Sequence, residues 1–226
     1  MSAQIQTEFL THFPMFSVLT QEELMQLGQM LELRSRQRFG LVYQAGEPSN
    51  YLYFLRKGGV KICTYHSDGR EIIKNILQPY AMFGELGVVG EDARQDYAKA
   101  LNEEIQYFAL RVEDFHRLMR NNHQLTLRML SLVGSRLVTA ERRLESLVFK
   151  DARSRIIDFL KDTVEKTGRR IGFEMLIKHS LTQQDIANLT GTSRQTVTSV
   201  LNELRKSDKI YFNRRSILIR DVAALA

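Results

Sequence analysis

In the run SRQTVTSVLNE, residues 193–203, Arg194, Gln195, Thr198, Ser199 and Asn202 follow one another at steps of one, three, one and three. At about 3.6 residues per turn, that spacing lays five hydrogen-bonding side chains along one stripe of a helix. Val197, Val200, Leu201 and Leu204 fall on the opposite stripe, which is expected to be buried. The polar stripe suits recognition rather than bond breaking. An Arg guanidinium can grip guanine O6 and N7 together, a Gln or Asn amide can do the same at adenine N6 and N7, and Ser or Thr hydroxyls serve either base.

A second stretch, FGELGVVGEDARQD at residues 83–96, begins as a cradle for a phosphate and ends in carboxylates that would repel one. The glycines Gly84, Gly87 and Gly90 lack the spacing and the following helix of a dinucleotide fingerprint.

Other chemistries find no support. The histidines His12, His66, His116, His123 and His179 are scattered, with no His-x-His pair for a barrel metal site, no nucleophile–base arrangement and no phosphate-binding loop. No catalytic or metal-binding residues are expected, and the chain is not read as an enzyme. The single cysteine, Cys63, excludes a four-cysteine iron–sulfur or zinc site within one chain. With no apolar run of about 18 residues and no secretory pattern at the start, the expectation is a cytoplasmic protein that does not enter a membrane.

The elements that must position these residues follow from periodicity. Thr182 with Asp185 is a capping box that opens a short helix, with Ile186, Ala187 and Thr190 turned inward. Gly191 supplies a tight turn and Ser193 caps the next helix, which together make a helix-turn-helix. A β-ribbon, KIYF (209–212) and ILIR (217–220), carries Asn213-Arg214-Arg215-Ser216 at its tip. There Arg214 and Arg215, together with Thr182 and Ser193, are expected to lie against phosphates. The charge agrees: residues 150–226 hold 15 Lys+Arg against 9 Asp+Glu, whereas residues 1–149 balance at 17 of each.

Upstream, residues 1–30 show short helical patterns, and ARSRIIDFLKDTV (152–164) a helix ended by Gly168. Alternation and turn signals run from about Arg34 to Leu110: Ala45-Gly46-Glu47-Pro48, YLYFL, Gly58-Gly59, VKICTY, the Asp68-Gly69 hairpin pair and EIIKNIL. Such strands predict an antiparallel barrel or sandwich. Between the two regions, Leu130, Leu137 and Leu144 fall seven apart, and so do Val133, Ala140 and Leu147. That seam, made of Leu130, Val133, Leu137, Ala140, Leu144 and Leu147, predicts a parallel dimer helix.

In this order the parts resemble the Crp/Fnr family of bacterial transcription regulators across nearly the whole chain. The resemblance rests on Gly46-Glu47, Lys57-Gly58-Gly59-Val60, Asp68-Gly69, Phe83-Gly84-Glu85-Leu86 and the run from Leu181 to Leu201. It implies an α+β architecture with an N-terminal jelly-roll barrel of the cyclic-nucleotide-binding type over residues 1–111. A dimerisation helix over 112–149 and a winged helix-turn-helix over 150–226 would follow. It also implies a homodimer on a two-fold-symmetric duplex site with half-sites roughly 34 Å apart, RNA polymerase as a partner, and a small effector in the barrel.

The resemblance further sets a candidate pocket of Gly84, Glu85, Leu86, Arg94, Gln95, Arg136, Ala140 and Glu141. Members that bind cyclic AMP use Gly-Glu-Leu on the ribose and phosphate and an Arg-Ser pair on the phosphate. Counted without gaps that pair falls on Gln95-Asp96, and Arg94 recovers the arginine only if the loop slips by one. Ala140 and Glu141 stand where those members use hydroxyls on the adenine, Pro79-Tyr80-Ala81 replaces their Pro-Gly-Asp turn, and Ser199 replaces a second DNA-reading arginine. The expectation is therefore an effector other than cyclic AMP, with effector-independent DNA binding as the alternative. A haem gas sensor, for which Cys63, His66 and Met82 offer axial ligands, and a cyclic AMP receptor rank below these.

Overall fold

The computed structural model of the chain describes residues 3–101, 103–179, 181–213 and 215–225. They fall into two compact units, residues 1–69 with 74–139, and residues 70–73 with 140–226. No described helix is long and apolar enough to cross a membrane.

The first unit opens with α1 (Ala3–Leu10), a 3₁₀ turn (Pro14–Val18) and α2 (Gln21–Met30). Thr20 and Glu23 cap α2 reciprocally, and the bonded N–H of Thr20 holds the Glu23 carboxyl below its ordinary range. Eight strands follow: β1 (Glu32–Arg36), β2 (Leu41–Tyr43), β3 (Tyr51–Lys57), β4 (Val60–Tyr65), β5 (Glu71–Leu77), β6 (Met82–Phe83), β7 (Tyr97–Ala100) and β8 (Ile105–Arg111). They form two four-stranded sheets ordered β1-β8-β3-β6 and β2-β7-β4-β5.

Alternation along the strands explains why both sheets share one interior. Tyr53 and Leu55 of β3, and Tyr107 and Ala109 of β8, meet Tyr43, Val60, Ile62, Phe83 and Ala98 between the sheets. The intervening Leu52, Phe54, Phe108 and Leu110 face the other way, onto Phe9, Phe13, Phe16 and Phe115. Strands buried on both faces read as unbroken apolar runs, which is the pattern of YLYFL. This is the expected jelly-roll arrangement with helices packed on one sheet.

Residues 112–149 are not one helix but two, α3 (Val112–Asn121) and α4 (His123–Phe149). Asn122 makes the break. Its backbone is extended, its Oδ1 accepts the Leu125 N–H at 3.0 Å as a cap for α4, and its Nδ2 donates to Glu23 Oε1.

The second unit holds α5 (Ala152–Thr167), capped by Asp151 and ended at Gly168 as the sequence predicts. Then come β9 (Arg169–Ile171), β10 (Glu174–Lys178), α6 (Gln183–Thr190), α7 (Arg194–Lys206), β11 (Ile210–Phe212) and β12 (Ser216–Ile219). The expected two-stranded ribbon is half of a four-stranded sheet ordered β11-β12-β10-β9. The β9–β10 hairpin is the unexpected addition. The core of the second unit is built from Ile156, Leu160, Ile177, Ile186, Val197, Leu201, Leu204 and Ile217 among others.

Candidate nucleic-acid interface and barrel interior

The helix pair α6–α7 is set by local chemistry. Thr182 Oγ1 accepts the Asp185 N–H at 3.1 Å while Asp185 Oδ2 accepts the Thr182 N–H at 2.9 Å, so the capping box is complete. Gly191 ends α6 in the left-handed region, at φ 60° and ψ 41°, where a Cβ is disfavoured. Ser193 Oγ then accepts the Thr196 N–H at 3.0 Å and starts α7. Arg155 of α5 ties the turn down, donating from Nε to Thr190 O at 2.8 Å and from Nη2 to Gly191 O at 3.1 Å. Val197, Val200, Leu201 and Leu204 are buried, which turns the polar stripe outward.

Along that stripe Arg194, Gln195 and Ser199 are exposed, and Thr198 and Asn202 are half-buried. Thr198 is not free: its Oγ1 lies 2.7 Å from Gln183 Oε1 and 2.9 Å from Arg194 O, two acceptors that share its one hydroxyl proton. Thr182 also spends its hydroxyl, donating to Asp185 Oδ2 at 2.7 Å. Arg215 is exposed beside Asn213, whose Oδ1 accepts the Arg215 and Ser216 N–H groups; Arg214 lies outside the described residues.

His179, between β10 and α6, is a buried polar group that the sequence reading took as one of five scattered histidines. Its N–H donates to Arg215 O at 2.9 Å, and its Nδ1 accepts the Leu181 N–H at 3.2 Å. Its Nε2 is buried with no partner among the described residues. The ring sits beside a cavity of about 10 Å³ lined by Phe159, Leu160, Thr163, Ile177, Ile186 and Ile217. Burial lowers its pKa below the ordinary histidine value.

The barrel stretch resolves into a 3₁₀ turn (Glu85–Val89) entered through Gly84 at φ 73°. A Cβ there would come within 2.9 Å of the Tyr53 ring. Of the two candidate positions, Arg94 and not Gln95 is the one turned inward. Arg94 points inward and is 2% exposed, whereas Gln95 is exposed and donates to Ala93 O, which removes it from the pocket interior.

Arg94 is already committed. Nη1 donates to Gly84 O at 2.9 Å and pairs with Glu91 at 3.4 Å, Nη2 donates to Tyr51 O, and the guanidinium lies 4.5 Å from the Tyr43 ring centroid. Asp96 is also inside, accepting from Tyr43 Oη at 3.1 Å and from Lys74 Nζ at 3.0 Å. Burial first, and then the Asp96 carboxylate, push the Tyr43 phenol well above its ordinary pKa. Arg94 Nε and the Tyr107 hydroxyl are buried without a partner among the described residues.

Glu85 is buried and pairs with Arg136 of α4, which also donates to Met82 O at 2.7 Å. Burial raises the Glu85 carboxyl and the Arg136 guanidinium opposes the rise. Leu86, Ala140 and Glu141 are exposed in the chain as described.

On α4, Leu125 and Met129 are buried and Val133 is half-buried against the helical side of the first sheet. Val133 therefore packs on its own unit, whereas Leu130, Leu137 and Leu144 remain 67%, 60% and 64% exposed, and Ala140 and Leu147 are exposed too. The three residues offered as single axial haem ligands stand in separate places. His66 is exposed and paired with Asp68, Met82 packs on the helical side of the first sheet, and Cys63 lies on the second sheet opposite Tyr97.

A capped helix pair with a basic wing, following a jelly-roll domain of the nucleotide-sensing kind, defines a DNA-binding regulator. Comparison with known proteins gives the same class. Residues 34–122 match the cyclic nucleotide-binding domain, and residues 154–226 the Crp-like helix-turn-helix domain. A CRP-like cAMP-activated global transcriptional regulator of Mycobacterium tuberculosis is 28% identical over 97% of both chains. The global nitrogen regulator of a Synechocystis species is 28% identical over 82% of this chain and 83% of that one. The solved structure of FixK2 from Bradyrhizobium japonicum, 21% identical, shares the fold with a TM-score of 0.77 over 86% of this chain and 95% of that one. The chain belongs to the Crp/Fnr family of transcription regulators.

Proposed function

We propose that the chain works as a homodimer that binds a two-fold-symmetric duplex site, with its barrel answering to an effector other than cyclic AMP. The observation that carries the effector reading is the state of Arg94. Each Nη group already serves a backbone carbonyl and Nη1 also pairs with Glu91, so a phosphate would find only the remaining Arg94 N–H groups, beside a guanidinium charge that Glu91 already shares. Asp96 beside Tyr43 and Lys74 puts a carboxylate where a phosphate would bring a second negative charge. The relative named for cyclic AMP activation does not carry its effector over to a site so altered. Two buried donors, Arg94 Nε and Tyr107 Oη, remain for an effector with acceptor atoms.

The second reading, DNA binding without an effector, is favoured by the same closed network, which keeps the interior charges paired in the absence of any ligand. Homodimerisation is supported by the three leucines seven apart, each more than half exposed on α4. DNA contact is assigned to Arg194, Gln195, Thr198, Ser199 and Asn202 at base edges, and to Thr182, Ser193, Arg214 and Arg215 at the backbone. RNA polymerase is the further partner this role requires.

The test is the thermal unfolding midpoint of the purified protein with and without saturating cyclic AMP, since a ligand held by the native state raises the midpoint by mass action. An unchanged midpoint is expected. A rise of several degrees would show that the barrel accepts a phosphate despite Glu91 and Asp96 and would make the chain a cyclic AMP receptor.

A further inference from the structure

Three backbone carbonyls from two helix ends converge on one side chain. Lys150 extends the last turn of α4, its N–H reaching Ser146 O at 3.1 Å, and its own carbonyl accepts from Arg155 Nη1 at 2.6 Å. At the end of α6, Thr190 O accepts from Arg155 Nε at 2.8 Å and Gly191 O accepts from Nη2 at 3.1 Å. The last carbonyls of a helix have no partner within it and carry the negative end of its dipole, so a cation between two such ends answers both. A guanidinium suits the task, because its N–H donors form a fixed planar fork, whereas an ammonium is a single point.

The same two helix ends also meet sterically. Leu147, in the last turn of α4, lies over the turn between α6 and α7, and a Cβ on Gly191 would come within 2.9 Å of Leu147 Cδ2. Residues 140–149 of α4 accordingly belong to the same compact unit as α6 and α7. Ser193, the cap of α7, follows Gly191 by two residues, so whatever fixes the turn fixes the direction in which α7 leaves it. Arg153, the other arginine of this stretch of α5, makes a different tie, a solvent-exposed pair with Glu203 of α7 at 3.2 Å.

We propose that Arg155 is the positioning residue that fixes α7 to the end of α4 and thereby sets the half-site spacing that a dimer accepts. The inference rests on the homodimer reading of the leucine seam. In a dimer joined through α4, each α7 takes its place from α4 through this joint. One added base pair moves a half-site by about 3.4 Å along the duplex and turns it by about 35°, which a joint held by three hydrogen bonds resists. Arg155 itself reads no base; it decides where the reading stripe stands.

The experiment uses the full chain, the duplex that the wild type selects from a random-sequence pool, and duplexes whose two half-sites are moved one base pair closer or farther apart. The wild type should lose roughly 100-fold in affinity on either shift. Arg155→Met should bind the selected duplex about 10-fold more weakly, through lost preorganisation, and the shifts should cost it at most about 10-fold more. The bases preferred within each half-site should stay the same. Arg155→Lys keeps the charge and loses the fork, so it should fall between the two, and it carries the test if the methionine variant does not fold. Arg153→Met should discriminate spacing as the wild type does. Thermal midpoints and sedimentation in the same buffer show that each variant is folded and keeps the wild-type oligomeric state. Undiminished spacing discrimination in the folded Arg155 variants, an altered base preference within a half-site, or an equal relaxation in Arg153→Met would each overturn the proposal. A wild type that sediments as a monomer on single half-sites would instead overturn the homodimer reading beneath it.

Discussion

Acid should loosen the DNA-reading unit through one histidine. In the folded chain His179 Nδ1 accepts the Leu181 N–H, and the residues lining the cavity beside the ring are Phe159, Leu160, Thr163, Ile177, Ile186 and Ile217, none of them charged. A proton on Nδ1 would face that N–H, and the resulting charge would have no counter-ion among the residues that line its cavity. Burial accordingly lowers the folded pKa, while the unfolded chain takes up its proton near the ordinary value of about 6.5. The unfolded state therefore binds more protons below about pH 6.5, and stability present above that pH is lost as pH falls toward the folded pKa. One proton sets the limit: the loss cannot exceed about 1.4 kcal/mol per pH unit, and partial solvent access reduces it. Carboxylates also titrate in this range, so the assay compares the wild type with His179→Asn, which keeps an acceptor for Leu181 and cannot charge. Urea midpoints followed between pH 8 and pH 5 should converge or cross as the pH drops, and the Leu181 amide should lose exchange protection in the wild type alone. Parallel pH curves for the two proteins would refute the reasoning.

Arg194→Ala should weaken binding by ~1–3 kcal/mol and relax discrimination at one base pair, read by repeating the selection from a random duplex pool. A uniform loss over all sequences would make Arg194 a phosphate contact. Leu137→Asp puts a charge in the exposed leucine seam, so sedimentation should show monomers whose duplex affinity is also reduced. Arg136→Met leaves the buried Glu85 carboxylate without its guanidinium and should destabilise the barrel by roughly 2–4 kcal/mol, reduced from a fully buried pair because Arg136 is partly exposed. Adding Glu85→Gln to that variant should recover most of the loss in urea unfolding.

The second unit was the more legible half because its signals act over three or four residues. Thr182, Asp185, Gly191 and Ser193 do in the structure what their types predict, and the buried stripe of α7 follows from periodicity. What escaped depends on contacts between elements. The sequence cannot tell Gln183 from Gln184, since only the crossing of α6 and α7 brings one of them to Thr198. The β9–β10 hairpin is short and Gly172 gives no strong turn signal, although the pairing of β10 with β12 makes the hairpin one half of a sheet. The break at Asn122 was signalled by a capping residue inside an apparent long helix. In the barrel, Gly84, Glu85 and Arg136 were legible as pocket candidates, but the burial of Glu85 against Arg136 and the inward turn of Arg94 depend on tertiary contacts. Lys74, Tyr43 and Tyr53 became site residues only through the alternation of β5, β2 and β3.

The strand order of the first sheet also governs how the chain reaches its native state. β1 lies beside β8, with Arg36 facing Ile105 and Glu32 facing Ala109, so the sheet joins the start of the barrel sequence to its end. Such distant pairing must meet its loop-closure entropy before any contact rewards it, whereas the caps of α6 and α7 form within a single turn. Refolding from denaturant should thus be staggered: the DNA-reading unit assembles quickly, and the sheet that carries Tyr53 and Tyr107 closes late. Until β8 arrives, β3 keeps an unpaired edge along an apolar strand, the part of this sheet most exposed to aggregation during synthesis.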